Sequence, residues 1–495
     1  MKRLVVFAAL ASALALHAAD KSIGYLQLAG KDGFEKAAAR FVSMTGNPML
    51  GMALAPLANV QPYQELFGAA RKGFGAAFVI DGFDSELKPR FAVLYPVSGG
   101  KAKFLAGNDG AVETNGAVMV QHDGDPWYVV FSKDGQWAAA SDRKERLNSA
   151  FEFVPQLSKP MKDELLRFEG ELAPIVKVMA AALDSTNVTE KVKDAKQLKS
   201  MREQFKVFSQ LSEGIAKVRG KVRLGDAGLD FIVKADTLKG SFADSLGRIP
   251  LAKDALAFAG KRGFVASAAA EGAAFTVPTA AESWGKVVDI LARHGIRQSV
   301  LTLSSKNGAD TLTFDPAELK KVIGDKDLRK RFEKLIDGND FGEELTAAFS
   351  ENGYRLEPSK AMKSDFEVAG HENSYAASEL FKNTFSDFSK HHPKAALTSV
   401  GVFPFYGTVY HGYSVFAECT SDKAKAQEAK ELLEMLPPVP KCAAGSICWR
   451  DGSEYGICIR IPTDEFKALG TAAGVFMAAQ SMSAMSEAAE ADADE

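Results

Sequence analysis

The sequence of 495 residues predicts an α+β fold of two tandem domains, each an antiparallel sheet covered by helices, with a long helical hairpin inserted in the first half. Three observations support this prediction. Short apolar segments alternate with brief turns, one central segment has a helical apolar period, and a six-residue sequence near the N-terminus returns with one change in the second half. Each predicted element follows from one of these patterns.

The strands of the first half are rich in Val, Phe and Tyr and are separated by turn sequences such as Asp134-Gly135. Such brief connections favour antiparallel pairing, and helical patterns at Phe34 to Met44 and Arg143 to Val154 flank the strands. The predicted strands are Tyr25 to Leu28, Ala76 to Ile80, Arg90 to Pro96, Ala117 to Gln121, Trp127 to Phe131 and Trp137 to Ala140, and a further hairpin joins Lys221 to Leu224 with Leu229 to Ala235.

The helical hairpin is predicted over residues 160–219. Apolar residues recur at steps of three and four from Leu198 to Val218, and a partner helix is predicted from Met161 to Leu183. One interpretation places this hairpin on the sheet of its own domain. The other makes it an arm that meets another subunit or partner, with Phe205 and Phe208 as candidate partner-surface residues.

The repeated sequence indicates an internal duplication. Ala29 to Phe34 reads Ala-Gly-Lys-Asp-Gly-Phe, and Ala259 to Phe264, after a strand predicted to begin near Ala255, reads Ala-Gly-Lys-Arg-Gly-Phe. Each half also has an Asp-Gly hairpin followed by a helix start, at Asp134 and at Asp451. Either the second copy carries insertions, or these are generic hairpins. The predicted domains span residues 20–240 and 250–480, and an acidic tail at 483–495 is predicted to be disordered.

The second half mixes helices and strands. Helices are predicted at Ser283 to His294, Asp315 to Ile323, Asp327 to Ile336 and Ala376 to Phe388. Strands are predicted at Val300 to Leu303, Thr311 to Phe314, Ala396 to Tyr406, Tyr413 to Cys419 and Tyr455 to Ile461.

The N-terminus is typical of a secretory signal peptide over residues 1–19. Lys2 and Arg3 precede an apolar run from Leu4 to Leu16, and small residues follow at Ala18 and Ala19. This run is shorter than the roughly 20 residues that cross a bilayer, so we expect cleavage and no membrane span. The mature protein is predicted to be periplasmic or secreted, in a bacterial envelope.

All four cysteines lie near the C-terminus, at Cys419, Cys442, Cys448 and Cys458. In an oxidising compartment an even, clustered set indicates disulfides, and three connectivities are possible. The favoured pairing joins Cys419 with Cys458 and Cys442 with Cys448. A zinc site with four cysteine ligands is the weaker alternative, because the paired Cys-x2-Cys spacing is missing.

The composition argues against several function classes. The formal net charge is −3, with no strongly basic segment, so nucleic acid is not an expected partner. No P-loop, dinucleotide fingerprint, nucleophile elbow or zinc-protease motif occurs, and the Asp337 to Gly342 segment fails the calcium-loop spacing. No cofactor and no catalytic residue are predicted.

The leading hypothesis is an exported, non-enzymatic protein that binds an unknown protein or envelope ligand, with its oligomeric state left open. A first alternative is an apolar-ligand carrier, since 33 Phe residues can line a lipid cavity as well as a core. A second is a metal-dependent hydrolase whose metal ligands come from the His371 to His411 region, which also contains His391 and His392.

Overall fold

The structure is a computed structural model. It describes residues 22–45, 74–83, 89–97, 100–106, 111–114, 116–122, 125–174, 212–245, 247–248, 250–251, 264–268, 298–303, 310–314, 345–350, 353–358 and 377–493, and single helical residues at 176, 180, 202, 205 and 209. The chain divides into two compact units. The first comprises Met1–Arg40, Gly51–Leu224 and Phe231–Asp244, and the second comprises Phe41–Leu50, Gly225–Asp230 and Ser245–Glu495.

The first half of the chain forms an antiparallel sheet. Its strands are β1 (Gly24–Leu28), β2 (Ala77–Phe83), β3 (Pro89–Pro96), β4 (Val112–Thr114), β5 (Ala117–His122), β6 (Asp125–Phe131), β7 (Trp137–Ser141), β8 (Glu164–Gly170), β9 (Ile215–Gly225) and β10 (Gly228–Thr237). They lie in the order β4-β5-β6-β7-β3-β2-β1-β8-β9-β10. All registers described for these strands are antiparallel, which confirms an α+β fold built on an antiparallel sheet.

Helices accompany this sheet. They are α1 (Lys31–Thr45), α2 (Gly100–Ala106), α3 (Leu147–Ala150), α4 (Val154–Leu157) and α5 (Phe242–Ser245), with 3-10 turns at Lys144–Arg146 and Phe151–Phe153. The helix predicted from Arg143 to Val154 is therefore a series of short turns.

Both faces of the first sheet are buried. On one face Val93, Tyr95 and Val129 join an apolar cluster, and on the other Leu94 and Trp137 pack with Leu147 and Leu157 of the short helices. Neighbouring residues such as Val93 and Leu94 point to opposite faces because side chains alternate along a strand. This explains why the strands read as continuous apolar runs.

The predicted helical hairpin is wrong at both ends. Residues 164–170 form β8, which lies between β1 and β9, and residues 215–218 belong to β9. The sequence of β8 favours a helix by propensity, but Phe168 pairs with Leu26 on one side and Gly220 on the other. Pairing with β1 and β9 therefore outweighs the helix propensity of these residues. Between the strands, the described residues from Leu172 to Glu213 are helical.

Both predicted Asp-Gly hairpins are confirmed. The turn between β6 and β7 contains Gly135 at a φ of 66°, and the turn between the strands 444–451 and 454–462 contains Gly452 at a φ of 60°. Positive φ favours glycine, which is why Asp-Gly predicted these turns correctly. The second copy of the repeated sequence lies outside the described residues except for Phe264.

The second half contributes β11 (Phe264–Ala268), β12 (Gln298–Leu303), β13 (Asp310–Phe314), β14 (Leu345–Ser350), β15 (Gly353–Pro358), β16 (Ala396–Phe403), β17 (Ala444–Asp451) and β18 (Glu454–Pro462). These strands are paired in the order β14-β15-β13-β12-β11-β16-β17-β18. The helices are α6 (Ala377–Thr384), α7 (Phe388–His391), α8 (Phe405–Cys419), α9 (Lys423–Met435) and α10 (Thr463–Ala493).

Three predictions for the second half need correction. The strand from Ala396 ends at Phe403, and the segment from Tyr413 to Cys419 is the C-terminal half of α8, not a strand. The tail predicted to be disordered is helical through Ala493, because its Ala, Met and Glu residues are strong helix formers. The helices predicted at 283–294, 315–323 and 327–336 lie outside the described residues.

Candidate functional site

Helix α8 has an apolar surface on its solvent-exposed side. Phe405 is 55% exposed, Val409 39% and Phe416 47%. They lie on one side of the helix because they are separated by four and seven residues. We call this surface the α8 stripe. It comprises Phe405, Thr408, Val409, Gly412, Tyr413 and Phe416.

The α8 stripe contains no charged residue. A helix on the surface of a globular protein normally turns its polar side to water and its apolar side to the core. Helix α8 is apolar on both sides, since Tyr406 and Ala417 are buried while Phe405 and Phe416 are exposed. Exposed apolar surfaces of this kind mark interaction sites.

The buried side of α8 holds the helix against its neighbours. Tyr406 is fully buried in an apolar cluster with Leu436, Ala468 and Ala472, which follow α9 or lie on α10. The Tyr406 hydroxyl donates a hydrogen bond to the carbonyl oxygen of Pro437. The position of the stripe is therefore fixed by packing on the opposite side.

Glu465, in the first turn of α10, caps the N-terminus of α8. Pro404 precedes α8 and offers no side-chain cap, so the first amides of the helix need another acceptor. Glu465 Oε1 accepts a hydrogen bond from the Tyr406 amide at 2.9 Å, whereas Oε2 is buried and has no hydrogen-bond partner among the described residues. Burial raises the pKa of Glu465, and the neighbouring amides of Tyr406 and Phe405 only partly oppose that shift.

Gly412 leaves a gap in the middle of the stripe. A Cβ atom added to Gly412 would meet no heavy atom within 4 Å, so the backbone of α8 is open to solvent there. Glycine inside a helix costs stability relative to alanine. A small residue between Phe405 and Phe416 lets another helix approach the backbone closely.

The second unit also contains a buried network of ion pairs around Arg460. Its side chain is 5% exposed, and that of Asp230 is 1% exposed. Arg460 Nε and Nη2 donate to the two carboxylate oxygens of Asp230 at 2.6 and 3.1 Å. Arg460 also donates two hydrogen bonds to Asp387 and one to the Thr384 carbonyl.

The pKa shifts in the Arg460 network favour the charged forms of Arg460 and Asp387. Burial opposes the charge of Arg460, but hydrogen bonds and charge from Asp230 and Asp387 raise its pKa. Burial alone would raise the pKa of Asp387. The hydrogen bonds and charge of Arg460 outweigh that effect, so the pKa of Asp387 lies below its ordinary value. Groups held in their charged forms by each other are poor proton carriers at neutral pH. Neither Arg460 nor Asp387 is therefore suited to act as a general acid or base.

No disulfide joins the cysteine side chains that the structure describes, so the predicted pairing of Cys442 with Cys448 is wrong, and the side chain of Cys419 lies outside the described part. Cys442, Cys448 and Cys458 are thiols, and Cys419 lies at the end of α8 instead of on a strand beside β18. Cys458 is opposite Ile447 on β17, so the neighbouring residue Cys448 points to the other face of the sheet. Cys442 precedes β17 and is buried. Alternation along the strands therefore separates two of the thiols that the sequence placed in one cluster.

Two of the thiols, Cys442 and Cys448, are not activated. Burial raises the pKa of Cys442 to about 11. Burial also raises the pKa of Cys448, whose sulfur accepts a hydrogen bond from the Tyr455 hydroxyl. Thiolate is the reactive form, so both residues behave as core side chains.

In the His371 to His411 region, where metal ligands were predicted, the described histidines His391 and His392 contact neighbouring protein groups. His391 Nδ1 lies 2.8 Å from the Asp387 carbonyl oxygen at the end of α7. His392 lies against Phe388 and Trp449, with ring centroids 5.1 and 4.6 Å apart. His371 and the side chain of His411 lie outside the described part. Within that part, no group of three or more His, Cys, Asp or Glu residues is arranged to hold a metal ion.

The two predicted partner-surface residues are only partly described. Phe205 is helical and half-buried, and Phe208 lies outside the described residues. The α8 stripe was not predicted, because the aromatic and β-branched residues of the segment from Tyr413 to Cys419 favour a strand. The spacing of Phe405, Val409, Gly412 and Phe416 matches the period of a helix and not that of a strand, so the sequence did contain a pattern that indicates this surface.

No family model, curated protein or solved structure matches this chain. Among the helices in the described residues, none combines the length and apolar character that a membrane crossing requires.

Proposed function

We propose that this chain is an exported, non-enzymatic binding protein of the bacterial envelope and that it recognises a protein partner through the α8 stripe. The observation that carries the proposal is the set of exposed, uncharged side chains at Phe405, Val409 and Phe416. Export is supported by Lys2, Arg3 and the apolar run that follows them.

A protein partner fits the stripe better than other ligand classes. Aromatic side chains that bury large apolar area at little cost in rotamer entropy dominate protein interfaces. The chain carries a formal net charge of −3, so neither nucleic acid nor an anionic lipid surface is attracted electrostatically. The nearest exposed charge on α8 is Glu418, outside the stripe.

Photo-crosslinking in the native envelope tests this proposal. A benzophenone amino acid replaces Phe416, and in a matched control it replaces Ile459, which is 49% exposed on β18. We expect a defined covalent adduct from position 416 and none from position 459. Recovery of both variants in the cytoplasm, or no adduct at position 416, contradicts the proposal.

We further propose that the two halves of the chain are duplicated domains. Support comes from the hairpins β6–β7 and β17–β18, which share an Asp-Gly turn and are each followed by a helical segment, at Lys144 and at Thr463. Expression of residues 225–495 as a separate chain, which keeps Asp230 together with Arg460, tests whether the second half folds by itself. A fragment that stays unfolded would contradict two separable domains.

A further inference from the structure

We infer that the connection between α9 and β17 is a second docking surface, bound by a partner domain whose groove is lined with Trp and Tyr side chains. The connection reads Leu-Pro-Pro-Val-Pro-Lys over residues 436–441, and we call it the proline segment. It lies outside the α8 stripe, so this inference goes beyond the function proposed above and holds or fails separately from it.

The backbone of the proline segment is restricted to the polyproline II conformation. Leu436 has a φ of −77° and a ψ of 144°, which are the angles of that conformation. Each proline ring fixes its own φ at about −65°, and each residue that precedes a proline is kept out of the helical region. One or both of these restrictions apply to every residue from Leu436 to Pro440. Residues 437–440 accordingly contain no helix, strand or turn.

The exposure of the proline segment follows the three-residue period of a polyproline II helix. Pro437 and Pro440 are one turn apart, and both are half-buried. Pro438 and Lys441 are also one turn apart, and both are exposed. Val439, between them, is 45% exposed. One edge of the segment therefore lies against the protein, whereas Pro438, Val439 and Lys441 face solvent.

Both ends of the proline segment are fixed by hydrogen bonds. The Tyr406 hydroxyl on α8 donates to the Pro437 carbonyl oxygen, and the Asn383 side-chain amide on α6 donates to the Lys441 carbonyl oxygen at 3.1 Å. A ligand that is already rigid loses little conformational entropy when it binds. For this reason a polyproline II segment is recognised through a contact of small area.

The chemistry of proline decides which kind of partner fits. Three of the four residues from Pro437 to Pro440 lack a backbone N–H group, so the segment cannot add to the edge of a partner's sheet, and it cannot dock as a helix. The remaining recognition mode is a groove lined by aromatic side chains, in which proline rings pack against the aromatic rings.

Polar groups complete the description of the groove. The carbonyl oxygens of a polyproline II backbone make no hydrogen bonds within the segment, so they accept hydrogen bonds from indole N–H and phenol O–H groups. The exposed ammonium group of Lys441 favours a groove with an acidic residue at one end. The expected partner is therefore an aromatic groove with an acid beside it.

The termination of α9 does not by itself account for the proline segment. Pro437 alone ends the helix, because proline cannot continue the helical hydrogen bonds. Pro438 and Pro440 are not needed for that purpose, and the exposed ring of Pro438 is not required by the core. Docking gives these two prolines a role.

Photo-crosslinking in permeabilised cells tests the inference. A benzophenone amino acid replaces Met435, which is 57% exposed and directly precedes the proline segment, so the segment itself is unchanged. The competitor is a synthetic peptide of residues 434–441. In a control peptide alanine replaces the three prolines, which removes the rigid conformation and keeps the length and the charge. We expect a defined adduct whose yield falls by about fivefold or more in about 1 mM of the proline peptide and stays unchanged in the control peptide.

A matched pair of variants adds to this test. Pro438→Ala, made in the crosslinking chain, should lower the yield of the adduct by about fivefold or more, because it removes the exposed ring that the groove binds. Pro160→Ala, which removes another exposed proline in front of β8, should leave the yield unchanged. Circular dichroism and thermal unfolding of each variant establish that it is folded.

Four results overturn the inference. Two of them are the absence of an adduct at position 435 and an adduct that the proline peptide suppresses no better than the control peptide. A Pro438→Ala chain that keeps the wild-type yield is the third. The fourth is a partner whose crosslinked residue, located by mass spectrometry, lies away from any groove lined with aromatic side chains.

Comparison with the crosslinker at position 416 separates this inference from the proposed function. An adduct at position 435 and none at position 416 supports the proline segment and contradicts binding through the α8 stripe. The reverse result contradicts the proline segment and leaves the α8 stripe standing.

Discussion

Arg460 connects segments of the second unit that are far apart in the sequence. Its guanidinium group donates to Asp230, Asp387 and the Thr384 carbonyl from a position that is 5% exposed. A buried ion pair is not by itself a source of large net stability, because desolvation offsets most of the attraction. Its removal is nevertheless costly, since the carboxylate of Asp230 is then left buried without its bidentate partner.

We predict that Arg460→Met lowers the free energy of unfolding by about 3–5 kcal/mol. Arg460→Lys should recover only a small part of this loss, because an ammonium group cannot make the two parallel hydrogen bonds to Asp230. The control is Lys425→Met, which removes the exposed ion pair with Asp422 and should cost no more than about 1 kcal/mol. Urea denaturation at pH 7 measures all three values, and equal losses for Arg460→Met and Lys425→Met would contradict the role of the network.

Glu465 predicts a pH dependence. Its pKa in the folded chain is raised above the unfolded value by burial, so its stabilising contribution is complete below pH 4.5 and is lost as the pH rises through the raised pKa. We expect Glu465→Gln to remove this part of the pH dependence and to keep an oxygen acceptor for the α8 amides. Glu465→Ala should cost about 1–2 kcal/mol, because it removes the cap.

Urea denaturation between pH 4.5 and pH 8 measures both Glu465 variants. Glu418→Gln, which changes an exposed acid on α8, the helix that Glu465 caps, is the matched control. A wild-type profile and a Glu465→Gln profile of the same slope would show that Glu465 does not titrate in this range.

At the scale of elements, two glycines allow a direct comparison. A Cβ atom at Gly456 in β18 would lie 2.2 Å from the ring of Trp449, which is fully buried, whereas a Cβ atom at Gly412 in α8 meets nothing within 4 Å. We predict that Gly456→Ala destabilises the chain by about 1–3 kcal/mol through overpacking. Gly412→Ala should stabilise the chain by about 0.5–1 kcal/mol, since alanine is the better helix former. Thermal unfolding at low protein concentration measures both, and changes of the same sign would contradict the local geometry.

The elements also show what the sequence could predict. Strands bounded by turn residues, such as β5 and β7, were predicted within one or two residues, because Asp-Gly and Asn-Gly sequences specify the turns locally. The strand β8 was missed because its residues prefer a helix and become a strand only between β1 and β9. Helix α8 was missed for the opposite reason, since aromatic residues favour strands in isolation. Both errors arise where partners distant in sequence decide the local structure.

At the scale of the whole molecule, the thiols of the second unit give a further prediction. Cys442, Cys448 and Cys458 are present as thiols, and burial raises the pKa values of Cys442 and Cys448. We predict that a strong reductant leaves the unfolding midpoint unchanged. Iodoacetamide at pH 8 should modify Cys442 and Cys448 only after denaturation, as measured by mass spectrometry. A midpoint that falls on reduction would show that a disulfide forms in the folded protein.

The long separation of Asp230 and Arg460 has a consequence for biosynthesis. The two residues are 230 positions apart, and Arg460 lies near the end of the chain. A growing polypeptide therefore exposes Asp230 to water until β18 has left the ribosome. Burial of the Asp230 carboxylate before that point would leave a charge without its partner, so the packing around Asp230 has to follow the synthesis of β18.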